Sequence, residues 1–102
     1  MPVFGSSFSG LANGRKLTDE EFIRAIRFMV ASEYEAIQLY MQLAESTDNQ
    51  LAVGILKDIA NEERVHAGEF LQLLRELAPQ EEKYYAVGAK EVEKEISKLK
   101  QQ

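Results

Sequence analysis

Two long apolar stripes of helical period, interrupted once by Ser46-Thr47-Asp48-Asn49, leave this chain few ways to fold. The first runs Phe22, Ile26, Met29, Val30, Ile37, Tyr40, Met41, Ala44, in steps of three and four that line one face of a helix. The second runs Ala52, Ile55, Leu56, Ile59, Ala67, Phe70, Leu73, Leu74, Leu77 in the same manner. Thr18 and Glu21 have capping-box spacing, with Leu17 and Phe22 placed as a hydrophobic staple, so the first helix is predicted from Asp19 to Ala44 or Glu45. The polar tetrad reads as a turn, with Asp48 expected to cap a second helix that runs to about Leu77, before Pro79 stops it.

The flanks are less patterned. Residues 1–17 hold three of the six glycines, several serines and the isolated aromatics Phe4 and Phe8, a composition that reads as a flexible, disordered N-terminal arm, the alternative being an arm whose Phe4 and Phe8 dock on a neighbouring subunit. Residues 18–78 form the helical hairpin, and residues 79–102 a charged C-terminal segment. There the stripe Ala89, Val92, Ile96, Leu99 predicts a third helix from about Lys90, aided slightly by Glu91–Lys94 and Glu95–Lys98 pairs. The fold class is therefore all-α, an antiparallel two-helix hairpin plus a C-terminal helix. With 102 residues and 45% hydrophobic content, a lone hairpin cannot enclose its own stripes, and dimerisation into a four-helix bundle is the expected solution.

Composition excludes several functions. Seventeen acidic against twelve basic residues, a net charge of −5, oppose binding to a phosphate backbone, so no nucleic acid partner is expected. The absence of cysteine removes disulfides and thiolate metal sites. Neither a signal peptide nor a long apolar run is legible, and a cytoplasmic protein without a membrane partner is expected.

Three residues break the apolar stripes. Glu33 sits in the middle of the first, and Glu63 and His66, the only histidine, occupy the centre of the second. Residues three apart on a helix lie one above the other, so Glu63 and His66 can reach one metal ion together. Residues at equal distance from the turn lie at equal height in a hairpin. Positions 33 and 63 average to 48, inside the turn, which sets Glu33 opposite Glu63. Two carboxylates held close in apolar surroundings repel and lose solvation, so a neutralising cation is required. Arg24, Arg27, Lys57 and Arg64 all lie off the central stripe, which leaves a divalent metal. A packed core histidine is the alternative for His66, solvated helix faces for Glu35 and Glu62, and core packing for Tyr40. Oxygen and imidazole ligands without sulfur suit iron, manganese or zinc, and iron is favoured because paired carboxylates can bridge two ions. One chain supplies too few ligands for a two-metal centre, whereas two copies supply four carboxylates and two histidines. Gly54 and Gly68 interrupt the second helix, and a neighbouring helix is expected to approach closely near Gly68.

Taken together, Glu33-x-Glu35 followed by Tyr40, the Ser46-Thr47-Asp48 turn and Glu62-Glu63-x-x-His66 resemble the encapsulated ferritins, half-ferritins of the ferritin and rubrerythrin superfamily. The resemblance covers about residues 19–78. It implies a ferritin-like bundle formed by dimers, a decameric ring, and di-iron ferroxidase centres at the subunit interface with Glu33, Glu63 and His66 as ligands. Glu35 and Glu62 are implied as possible guides on the metal's inward path and Tyr40 as a neighbour of the centre, with Ser32 and Leu39 standing where the family can carry an acid and an aromatic. It further implies an encapsulin shell as partner and a location inside that compartment. The chain closes on Lys98-Leu99-Lys100-Gln101-Gln102 without a linker or apolar tag, so the expectation is a trimmed docking peptide or fusion to the shell protein. The expected function is oxidation of Fe(II) to Fe(III) for storage. The alternatives are a rubrerythrin-like peroxide reductase and a non-catalytic helical interaction module.

Overall fold

The computed structural model describes residues 14–101. The N-terminal arm, with Phe4 and Phe8, lies almost wholly outside the described residues. Three helices follow: α1, Asp19–Glu45; α2, Gln50–Leu77; and α3, Glu81–Lys100. No strand occurs among the described residues.

Local chemistry accounts for each boundary. The Thr18 hydroxyl accepts from the Glu21 backbone N–H at 3.2 Å, and the Glu21 carboxylate accepts from the Thr18 N–H at 2.9 Å, completing the capping box. Arg15 grips the same carboxylate through two hydrogen bonds of 2.7 and 2.8 Å, and this holds the Glu21 pKa down at about 2. At the turn the cap is Asn49 and not Asp48. Its Oδ1 accepts from the Ala52 N–H at 3.0 Å, because α2 starts one residue later than expected. The midpoint between the end of α1 and the start of α2 falls between Thr47 and Asp48, so the mirror relation is kept.

α1 and α2 pack antiparallel along their length. Their contact is made by Ala25, Ile26, Val30 and Ala44 from α1 and by Ala60, Ala67 and Leu74 from α2. Ala60 is 0% exposed: alanines, not glycines, provide the close approach. Gly68 faces away, and a Cβ added there meets nothing within 4 Å, so the close approach expected at Gly68 is not made inside the chain. The structure is only 19 Å thick in its shortest dimension, about two helix diameters or less, and among the described residues no second layer covers the remaining apolar face. Ile55, Leu73 and Leu77 on α2 stay more than a third exposed.

α3 starts at Glu81, well before the expected Lys90. Two acidic residues open its first turn, a favourable arrangement at a helix N-terminus. Both are also held from the hairpin, Glu81 by Arg27 of α1 and Glu82 by Arg75 of α2 at 3.2 Å. Beyond that first turn α3 leaves the hairpin and buries none of its residues. No helix is long and apolar enough to cross a membrane among the described residues.

Candidate metal centre

The hairpin brings Glu33, Glu63 and His66 together at mid-height. One ligand-capable atom from each lies within 4.8 Å of the others. His66 Nδ1 is 3.5 Å from Glu63 Oε2, across one helical turn, and 3.9 Å from Glu33 Oε2, across the gap between α1 and α2. The two carboxylates are largely buried, at 17% and 19% side-chain exposure, while the imidazole is half exposed at 50%. The trio therefore has an inner carboxylate wall and an imidazole at its opening.

The electrostatics of this group are unresolved by protein alone. A hydrogen bond shared with Glu63 raises the pKa of Glu33, burial and the Glu63 charge raise it further, and His66 opposes the rise. Glu33 Oε2 is buried with no hydrogen-bond partner among the described residues. No arginine or lysine reaches either carboxylate: Arg24 lies 3.5 Å from Glu20, Arg27 is engaged by Glu81, and Arg64 donates to Asn61 at 2.6 Å. Lys57 is six residues before Glu63, about 120° round the helix. An orphaned buried oxygen beside a second carboxylate is the environment that a divalent cation neutralises, and an oxygen-and-imidazole donor set fits iron, manganese or zinc.

The other residues singled out from the sequence are not part of this trio. Glu35 is two positions from Glu33, about 160° away round the helix, and opens on a different groove with Gln38, Leu39, Tyr40 and Gln42. Tyr40 lines that groove with Glu35 and lies two turns along α1 from Glu33. Glu62 is exposed on the outer edge of α2. The sequence reading overlooked Glu69, which lines an open groove with Glu33, His66, Phe70 and Leu73. Its signal was present in the spacing, since Glu69 follows His66 by three residues as His66 follows Glu63.

A helical hairpin that gathers two carboxylates and an imidazole at its centre has the arrangement of one half of a ferritin-like bundle. Comparison with known proteins agrees. A family model described as Rubrerythrin matches residues 25–101. An encapsulin nanocompartment cargo protein, EncC, of Myxococcus xanthus is 43% identical over 67 residues, which span 66% of this chain and 52% of that protein. A ferritin-like-encapsulin shell fusion protein of Pyrococcus furiosus is 39% identical over 64 residues, or 63% of this chain and 19% of the fusion. The crystal structure of the encapsulated ferritin domain from Pyrococcus furiosus aligns with a TM-score of 0.76 at 35% identity, covering 78% of this chain and 82% of that one. This chain belongs to the encapsulated ferritins within the rubrerythrin and ferritin-like superfamily. It spans about half the length of one curated relative and under a fifth of the other.

Proposed function

We propose that this protein is a ferroxidase whose site, shared between two copies, takes Fe(II) as substrate and yields Fe(III) for storage in an encapsulin compartment. The observation that carries this reading is the pair of largely buried carboxylates, Glu33 and Glu63, that no arginine or lysine neutralises among the described residues. Glu33 and Glu63 supply negative oxygen donors, and His66 turns Nδ1 toward both. One chain offers three donors, whereas a two-metal centre in a four-helix bundle draws on four carboxylates and two histidines. A second copy supplies the difference. The apolar surface beside the trio, with Ile55, Leu73 and Leu77 more than a third exposed and Phe70 partly so, has no cover among the described residues and is the face through which the copies meet.

Two ferrous ions held together can pass two electrons to dioxygen or to peroxide and leave as ferric ions. The protein's part is to bring the ions together, to balance their charge, and to limit water on the inner carboxylate side. The slab of two helices has no interior in which to store mineral, so the product must pass to another compartment. The names of the two curated relatives support an encapsulin shell as partner and a nanocompartment as location. A dimer is the minimal active unit in this reading, and a decameric ring is the assembly.

Metal analysis after anaerobic Fe(II) loading tests the reading. The expected result is about one iron per chain in the unaltered protein, lost in Glu63→Ala and in His66→Ala. Unchanged iron content in both variants would sink it. The family model's rubrerythrin description favours one second reading, a peroxide reductase on the same ligands. Turnover that is faster with H₂O₂ than with O₂, and that consumes peroxide in step with iron, selects that alternative.

A further inference from the structure

The groove that opens beside His66 has a volume of about 480 Å³ and is lined by Glu33, His66, Glu69, Phe70 and Leu73. Two of its three polar residues are proposed ligands; the third, Glu69, has no role in the ligand set. Glu69 lies one turn beyond His66, about 60° round the helix from it and about 120° from Glu63, on the outer edge of the ligand stripe. Its side chain is exposed and makes no hydrogen bond or ion pair among the described residues. The next acid on that edge, Glu76, accepts a hydrogen bond from Gln72 at 3.2 Å. Glu62 lies on the same edge, one turn before His66, but does not line the groove.

We propose that Glu69 captures the incoming divalent cation and passes it to Glu33 and His66. The inference rests on the iron-binding reading of the trio and adds the route by which the ion arrives. A carboxylate without an ion-pair partner can take up a hydrated cation without first giving up a contact. At the mouth of a groove with apolar walls its field is focused along the opening, which raises the local cation concentration. Phe70 and Leu73 form those walls. When a second copy covers the apolar stripe, Phe70 and Leu73 go under it, while Glu69 at the edge keeps one side in water. Its exposure makes it a transient holder of the ion and leaves tight binding to the buried pair. No bond is made or broken at Glu69, and no electron passes through it.

The experiment compares the unaltered protein with Glu69→Gln, Glu69→Asp, Glu76→Gln and Glu63→Ala at fixed ionic strength. It reads three quantities: equilibrium metal content, the rate of anaerobic Co(II) uptake followed by absorbance, and Fe(II) oxidation as a function of iron concentration. In Glu69→Gln the half-saturating iron concentration rises and Co(II) uptake slows, each on the order of fivefold, as expected for loss of one steering charge. Maximal rate and metal content stay as in the unaltered protein. Glu69→Asp restores most of the uptake rate, and Glu76→Gln changes nothing. Unaltered half-saturation and Co(II) uptake in Glu69→Gln overturn the proposal, as does loss of equilibrium metal content, which would make Glu69 a ligand. Full metal content in Glu63→Ala overturns the iron-binding reading itself and is a separate outcome.

Discussion

Glu33 ionises against the hydrogen bond it shares with Glu63 and against its own burial, and only His66 favours its charge. Because its folded pKa is raised, its contribution to stability is complete below the ordinary carboxylate pKa and is lost as pH rises through the raised value. Glu21 works in the opposite sense. Its pKa of about 2 gives stability above the ordinary carboxylate range that is lost as pH falls towards that value. The two windows do not overlap, so they can be separated. Urea denaturation of the metal-free protein at a series of pH values should show stability falling with rising pH just above the ordinary carboxylate range. Glu33→Gln should remove that fall and leave the acid limb, set by Glu21, in place. An identical pH profile in the variant would show that Glu33 is not the group responsible.

At the scale of elements, the hairpin depends on small residues that let α1 and α2 approach. Ala60 has no exposed surface, so a larger side chain there has nowhere to go without parting the helices. Ala60→Leu is expected to cost about 1–3 kcal/mol, the usual range for overpacking, read as a lower urea midpoint. α3 presents the contrary case, a helix held at one end. Replacing both Arg27 and Arg75 by alanine should speed hydrogen exchange in the first turn of α3 while changing hairpin stability by about 1 kcal/mol or less, since these are partly exposed ion pairs. The early start of α3 was hidden in the sequence because its cause is not a periodic pattern. That first turn is marked by the acids Glu81 and Glu82 and by two ion pairs that join residues 54 and seven positions apart, of which the longer cannot be seen without the packing of the hairpin.

At the scale of the molecule, the proposed function gives a two-helix slab with an apolar face and three candidate ligands two needs that one partner would meet. Ile55→Glu puts a charge into that face at an exposed residue that does not line the groove of Glu33, His66 and Glu69. It should shift the protein from oligomer to monomer, by about 2 kcal/mol or more per interface, and lower iron content although every ligand is present. Sedimentation with and without Fe(II), paired with metal analysis, checks both effects. If the variant stays oligomeric and fully loaded, the face is not where the copies meet.

Two helices, their antiparallel turn and the opposition of Glu33 to Glu63 were determined by the sequence alone. Helical period, capping residues and equal distance from a turn are local or one-dimensional properties, and they survive without knowledge of any contact between helices. Tertiary structure alone decided the rest. It turned Glu35 onto a different groove from the trio, because angular position around α1 matters more than nearness in sequence. It showed that Ala60 and Ala67 carry the close approach that glycine spacing had pointed to at Gly68, and it placed Glu69 on the groove beside His66. Each of these depends on which side of a helix faces its neighbour, and that is settled by packing.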